Sequence, residues 1–141
     1  LHTLPTQRIS FDLNYTHTST QVLFSTLAFD PLLVAGRPLL RRPKHSGNLL
    51  ASYVTPKWGA SLGGSFVGPR ADSDFGYTTP SVNHAAGYAR WDVGGWYALN
   101  RYITAYANVE NLFDRKYEEV AGYPALKANF RAGMRFRIGG E

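Results

Sequence analysis

The sequence predicts an all-β fold: an antiparallel transmembrane β-barrel fragment of six up-and-down strands, with long loops at one end and short turns at the other. Three observations predict it. Apolar and polar side chains alternate with a two-residue period over stretches of about 10–12 residues, the length a tilted barrel strand needs. The connections run long, short, long, short, long. Aromatic residues make up 14% of the chain, with nine Tyr and eight Phe beside a single Met, which favours sheet over helix.

Residues 8–17 open the pattern, with Ile9, Phe11, Leu13 and Tyr15 alternating with Ser10, Asp12, Asn14 and Thr16. Residues 1–7, with Pro5, are expected to be the connection leading in. An irregular stretch at 19–43 holds Pro31, Gly36, Pro38 and Pro43, and its apolar patch Leu32, Leu33 and Val34 is expected to fold back on the barrel rim. A loop this long would count against a compact soluble domain, but it suits the outer side of a barrel. Residues 45–55 form the second strand, with Leu49, Ala51 and Tyr53 on one face and Asn48, Leu50, Ser52 and Val54 on the other. Pro56 and Lys57 turn the chain into the third strand at 58–67, where Trp58, Leu62 and Phe66 oppose a set of small residues.

Residues 68–87 are a second long loop, carrying Pro69, Asp72, Asp74, Gly76, Pro80 and Asn83. The fourth strand covers 88–99, placing Trp91, Val93 and Tyr97 opposite Arg90, Asp92 and Trp96. Asn100 and Arg101 make a short turn into the fifth strand at 102–112. A third loop at 113–125, with Gly122 and Pro124, leads to the sixth strand at 127–138, where Phe130, Met134, Phe136 and Ile138 oppose Arg131, Gly133 and Arg135.

Alternation alone does not say which face meets lipid, because a lipocalin-like barrel has an apolar interior with the same period. The polar face carries Asp12, Arg90, Asp92, Asn108, Glu110, Arg131, Arg135 and Arg137, a set suited to a watery lumen. Tyr53, Trp58 and Tyr97 fall near the short turns, and Tyr15, Phe66 and Trp91 near the long loops, as two aromatic girdles would. A six-strand sheet is too small to close, since about eight strands is the usual minimum. Open edges are forbidden in lipid. The chain is therefore expected to be part of a larger barrel whose other strands lie N-terminal. A soluble six-strand protein is the other reading.

Composition narrows the chemistry further. There is no cysteine, which excludes disulfide scaffolds, thiolate metal sites and cysteine nucleophiles. The net charge of +5 is scattered except at Arg41, Arg42 and Lys44, so nucleic acid is not an expected partner. No run of 18 apolar residues forms a transmembrane helix. No P-loop or HExxH motif occurs, and no catalytic residue, cofactor or metal site is expected.

The most specific stretch is Val109, Glu110, Asn111, Leu112, Phe113, Asp114 and, three residues on, Tyr117. It resembles the V-E-N-L-F-D-x-x-Y segment in the penultimate strand of the TonB-dependent outer-membrane receptors. Arg41 to Ser46 resembles that family's entry into a downward strand, and Phe66 to Arg70 and Tyr88 to Val93 resemble neighbouring elements. Tyr117 to Pro124 resembles the final outer loop, with most likeness to the cobalamin-receptor branch. Arg131, Gly133, Phe136 and Ile138 are similar to the barrel-assembly signal, although Gly139, Gly140 and Glu141 stand where members often end on an aromatic residue.

The resemblance implies an outer-membrane receptor of a Gram-negative bacterium that takes up a large scarce nutrient, an iron-siderophore or cobalamin, with energy delivered by TonB. It implies that residues 1–141 are the C-terminal six-strand part of the barrel, with the plug domain and earlier strands outside them. The partners implied are outer-membrane lipid, the TonB complex through an N-terminal segment, the barrel-assembly machinery and a small-molecule nutrient ligand. A passive porin or a non-transporting adhesin is the alternative.

Several residues invite a functional reading. Tyr77, Tyr123, Arg70 and Lys116 are the candidate ligand contacts, since large polar ligands are gripped by aromatic and basic groups. His17, His45 and His84 fall on the long-loop side without a ligand pair close in sequence, and solvated loop histidines are the expectation. Asp72 and Asp74 form a D-x-D pattern but lack the glycine and glutamate of a calcium loop, so a solvated turn is expected. Asp12, Asp92 and Glu110 are expected to pair with Arg90, Arg131 or Arg135 across neighbouring strands.

Overall fold

Period-two alternation commits a segment to a strand with two unlike faces, and consecutive strands of this kind pair most simply with their chain neighbours. The computed structural model, which describes residues 2–6, 8–26, 33–73, 82–120 and 122–138, shows this arrangement. The strands are β1 (His2–Thr6), β2 (Ile9–His17), β3 (His45–Val54), β4 (Trp58–Val67), β5 (Arg70–Asp72), β6 (Asn83–Ala85), β7 (Tyr88–Ala98), β8 (Ile103–Glu110), β9 (Glu118–Val120), β10 (Tyr123–Pro124) and β11 (Asn129–Phe136). One antiparallel sheet has the order β1-β2-β3-β4-β7-β8-β11. The hairpins β5-β6 and β9-β10 stand apart from it, within the second and third long loops.

All six predicted strands are present, and a seventh joins them. Residues 1–7 were expected to be a connection, yet His2–Thr6 pairs with β2 through His2 opposite Asp12 and Thr6 opposite Ile9. The register breaks between Thr3 and Thr6, where Pro5 has no N–H to donate. Five residues interrupted by a proline are too few to show the alternation that marks the other strands. The two small hairpins also escape sequence reading, because two or three pairs carry no periodic signal. The β8 strand stops at Glu110 because Asn111 turns the backbone to a φ of 52°.

Side-chain chemistry also sets the short turns. Thr55 Oγ1 accepts from the backbone N–H of Trp58 at 3.0 Å, and Asn100 Oδ1 accepts from the N–H groups of Tyr102 and Ile103 at 2.8 and 3.0 Å. These turns lie at one end of the sheet. The three long loops lie at the other.

Register makes each face continuous. Leu13 faces Leu49, Ala51 faces Leu62, Leu62 faces Val93, Val93 faces Val109, and Val109 faces Phe130 across five strand pairings. The opposite face carries Asp12, Asn14, Asn48, Ser61, Arg90, Asp92, Asn108, Glu110 and Arg131. On it, Trp96 lies over its cross-strand partner Gly59, where an added Cβ would sit 2.5 Å from the indole nitrogen. The small residues of β4 are thus seats for the aromatics of β7.

Among the described residues Val22 is the only buried apolar side chain, while Phe130, Met134 and Phe136 are 66%, 59% and 62% exposed. An apolar surface of this extent needs a partner medium. Lipid supplies it. An arginine at Leu13, 48% exposed on the apolar face, is expected to cost about 2–4 kcal/mol of barrel stability. The same change at the adjacent Asn14 should cost about 1 kcal/mol or less. Equal losses in denaturant titrations of the membrane-inserted barrel would show that the faces are misassigned.

Candidate functional site

The loop end of the sheet is held by a knot around Asn111. This residue is 2% exposed and adopts a positive φ, which asparagine tolerates better than most residues. Its backbone N–H donates to Asp92 Oδ1 at 2.8 Å, tying β8 to β7. Its side-chain amide donates to the carbonyls of Arg115 at 2.9 Å and Leu126 at 3.1 Å, and its Oδ1 accepts from the Arg115 N–H at 2.8 Å. Asp114, also at positive φ, accepts from the Ala128 N–H at 2.9 Å. One short segment therefore clamps both ends of the third loop.

The other oxygen of Asp92 meets Arg90 Nη2 at 3.0 Å. Arg90 Nη1 reaches the Tyr117 hydroxyl at 3.5 Å, and the Tyr117 ring stacks on Tyr88 with centroids 3.9 Å apart. The chain thus leaves the wall at Asn111 and returns to its inner face at Tyr117. Arg90 Nε is enclosed with no partner among the described residues.

Two arginines connect the three long loops. Arg41, in the first loop, places Nε 2.8 Å from Asp72 Oδ1, and its backbone N–H donates to the Ala71 carbonyl at 2.8 Å. Asp72 is fully buried and also accepts from the Ser73 N–H at 2.8 Å. Arg70, 7% exposed, donates through Nη2 to the carbonyls of Glu118, at 3.0 Å, and Glu119. Between the second and third loops lies a cavity of ≈ 550 Å³ lined by Asn83, His84, Arg115, Lys116, Tyr117 and Glu118, among others. A second of ≈ 360 Å³ shares Arg115 to Glu118 and adds Lys127. The strip 115–118 therefore presents basic and aromatic groups to both cavities.

The structure places the sequence-selected residues as follows. Val109 lies on the apolar face, and Glu110 on the polar face, ion-paired with Arg131. Leu112 and Phe113 are 40% and 71% exposed. Gly133 sits beneath Tyr106, where a Cβ would come within 2.6 Å of the hydroxyl; Phe136 is exposed on the apolar face and Ile138 is 96% exposed. Of the candidate ligand contacts, Lys116 lines both cavities. Arg70 is buried against loop carbonyls, with Nη1 lacking a partner among the described residues. Tyr123 is 74% exposed and lines neither cavity. Tyr77 lies outside the described residues.

Some expectations change. Asp72 was expected in a solvated turn; it is a buried ion-pair partner instead, while Asp74 lies outside the described residues. Asp92 pairs with Arg90 two positions along its own strand rather than across strands, whereas Glu110 does pair across. No cluster of three histidine or acidic residues able to hold a metal occurs among the described residues. His17 and His45, distant in sequence, stand directly opposite one another. The partners of Arg41 and Arg70 left no signal in the sequence, because they lie 31 and 48 or more residues away.

Comparison with known proteins agrees with this geometry. The profile of the family described as TonB dependent receptor-like, beta-barrel matches residues 6–112. The vitamin B12 transporter BtuB of Vibrio cholerae is 34% identical over 106 residues, covering 73% of this chain and 17% of the relative. The metal-pseudopaline receptor CntO of Pseudomonas aeruginosa is 38% identical over 97 residues, covering 64% of this chain and 13% of the relative. Among solved structures, the siderophore receptor PiuA from Acinetobacter baumannii superposes with a TM-score of 0.78 at 16% identity, covering 96% of this chain and 20% of that one. The ferripyoverdine receptor of Pseudomonas aeruginosa superposes at 0.74 and 16% identity, covering 96% and 18%. This chain thus spans at most a fifth of the length of these proteins.

Proposed function

Because this chain belongs to the TonB-dependent receptor-like β-barrel family of Gram-negative outer-membrane proteins, we propose that it forms wall and outer loops of a receptor that imports a large scarce nutrient, an iron-siderophore or cobalamin. TonB supplies the energy through a plug and an N-terminal segment outside these residues, which are the C-terminal part of the barrel. Outer-membrane lipid covers the apolar face, and the barrel-assembly machinery reads Arg131, Gly133, Phe136 and Ile138. The family assignment weighs against a passive porin. The reading extends the names of the relatives, a vitamin B12 transporter and a metal-pseudopaline receptor, to this chain.

The observation that carries this reading is the strip 115–118. Arg115, Lys116 and Tyr117 face cavities beside the loops, with Lys127 and His84 adding basic character against one carboxylate, Glu118, among the described residues. Such a site suits a ligand with anionic or hydroxyl-rich groups, gripped by charge-assisted hydrogen bonds and a ring face. Tyr123 and Tyr77 are proposed as further contacts, and Arg70 as the residue that holds the cavity wall.

The test uses the intact receptor in cells and in detergent. Radiolabelled ferric siderophores and cobalamin should separate the ligands, and uptake of the one transported should vanish without TonB. Lys116→Ala should weaken binding of that ligand about tenfold or more, since a charge-assisted hydrogen bond contributes about 1.5–3 kcal/mol. Uptake that persists unchanged without TonB points to passive permeation and overturns the proposal.

A further inference from the structure

We propose that His17 and His45 form a cross-strand two-histidine site for a divalent first-row transition-metal ion, Cu²⁺ above all, on the outward face of the barrel at its loop-end rim. The proposal stands on its own geometry and does not depend on which nutrient the receptor imports. The two residues are direct partners in the β2-β3 pairing. One step beyond them, the Thr18 N–H donates to the Lys44 carbonyl at 2.9 Å. Hydrogen-bonded and non-hydrogen-bonded pairs alternate along an antiparallel ladder, so His17 and His45 occupy a non-hydrogen-bonded pair, the kind that brings side chains closest. Both project from the face that carries Leu13 and Tyr15, and both are exposed.

The ring geometry suits chelation. The imidazole centroids lie 5.1 Å apart with planes at 38°. A metal about 2.0–2.1 Å from one nitrogen of each ring, at an angle between square-planar and tetrahedral, places the centroids about 4.5–5.2 Å apart. The observed spacing falls inside that window.

Tyr15 supplies the second observation. Its hydroxyl lies 2.6 Å from His45 Nδ1. If Nδ1 carries the proton, it donates to the phenol oxygen and leaves Nε2 with its lone pair free for a metal. This is how a metal-ligating histidine is ordinarily oriented by a group behind it. Local sequence makes the arrangement feasible. Gly47 opposes Tyr15, so the phenol can lean toward His45, and Gly68, whose N–H donates to the His45 carbonyl at 2.8 Å, adds no side chain beside the imidazole.

Two protein donors leave the remaining coordination positions to water. Imidazole prefers Cu²⁺, Ni²⁺ and Zn²⁺ over Mg²⁺ or Ca²⁺, and Cu²⁺ binds tightest in this series. Stacking within the aromatic girdle is the competing account of the same rings, and binding measurements separate the two.

The experiment is a Cu²⁺ titration of the full-length receptor in detergent, followed by electron paramagnetic resonance. The unaltered protein should bind one more equivalent than the double variant His17→Ala/His45→Ala, in a signal showing two imidazole nitrogens. Each single substitution should weaken that equivalent at least about tenfold, and Tyr15→Phe by about 10–100-fold, the usual effect of losing an orienting partner. Equal copper stoichiometry in the unaltered and doubly substituted proteins overturns the proposal. A measurement without variants covers the case in which these fail to fold. One equivalent of Zn²⁺ should protect His17 and His45 together from diethyl pyrocarbonate, read by mass spectrometry. Protection of neither overturns the site as well.

Discussion

Replacing Asn111 with alanine is expected to loosen the whole third outer loop while leaving the sheet in place. The substitution removes the amide that holds the carbonyls of Arg115 and Leu126 and the oxygen that accepts from the Arg115 N–H. It also leaves alanine at a φ of 52°. Partly buried groups left unpaired and the left-handed backbone together should lower local stability by about 3 kcal/mol. Since 1.4 kcal/mol is tenfold, amides of residues 112–128 should exchange about a hundredfold faster. Asn111→Gly separates the two causes, because glycine keeps the backbone conformation and loses only the side-chain bonds. Hydrogen exchange on the intact receptor reads both variants. Unchanged exchange in Asn111→Ala would mean that the loop is held elsewhere.

The second large effect is expected at Asp72. Its carboxylate is fully buried between Arg41 Nε and the Ser73 N–H, each at 2.8 Å. Asp72→Ala leaves a buried N–H and a guanidinium without this counter-charge. Breaking a buried pair typically costs about 3–5 kcal/mol. Here the Arg41 side chain is 40% exposed and can regain water, so about 2–3 kcal/mol is expected. Asp72→Asn keeps an acceptor of the same shape and should lose about half as much. The readout is proteolysis within residues 33–44, the part of the first loop that Arg41 docks. Equal cleavage of the unaltered and Asp72→Ala proteins would assign that docking to other contacts. If Arg70 carries the second seam independently, Asp72→Ala should leave residues 115–120 as protected as before.

The loop seams explain how much of the site could be read from sequence. Lys116 was singled out as a basic group on an outer loop and Tyr117 only as the last position of the motif; the cavities that both line come from the return of the third loop toward the sheet. Asn111 was legible as part of the motif but not as its hub, since its partners at Arg115 and Leu126 belong to backbone that no side-chain pattern marks. Arg41 and Asp72 looked like a basic run and a solvated turn. Charge type alone does not reveal a partner 31 residues away.

By itself the sequence determined the strands and their two faces. Residues such as Ile9 to Tyr15 and Trp91 to Tyr97 alternate because a pleated backbone points neighbouring side chains to opposite sides, a purely local rule. It also determined the sorting of long and short connections, since Thr55 and Asn100 close their turns with their own side chains. Only the tertiary structure decided β1, where Pro5 interrupts the local signal and pairing with β2 supplies it. The same holds for burial of Asp72, docking of Arg70 on the third loop, and the meeting of His17 with His45. Those contacts depend on register and on where long loops return, and both are set by interactions between residues far apart in the chain.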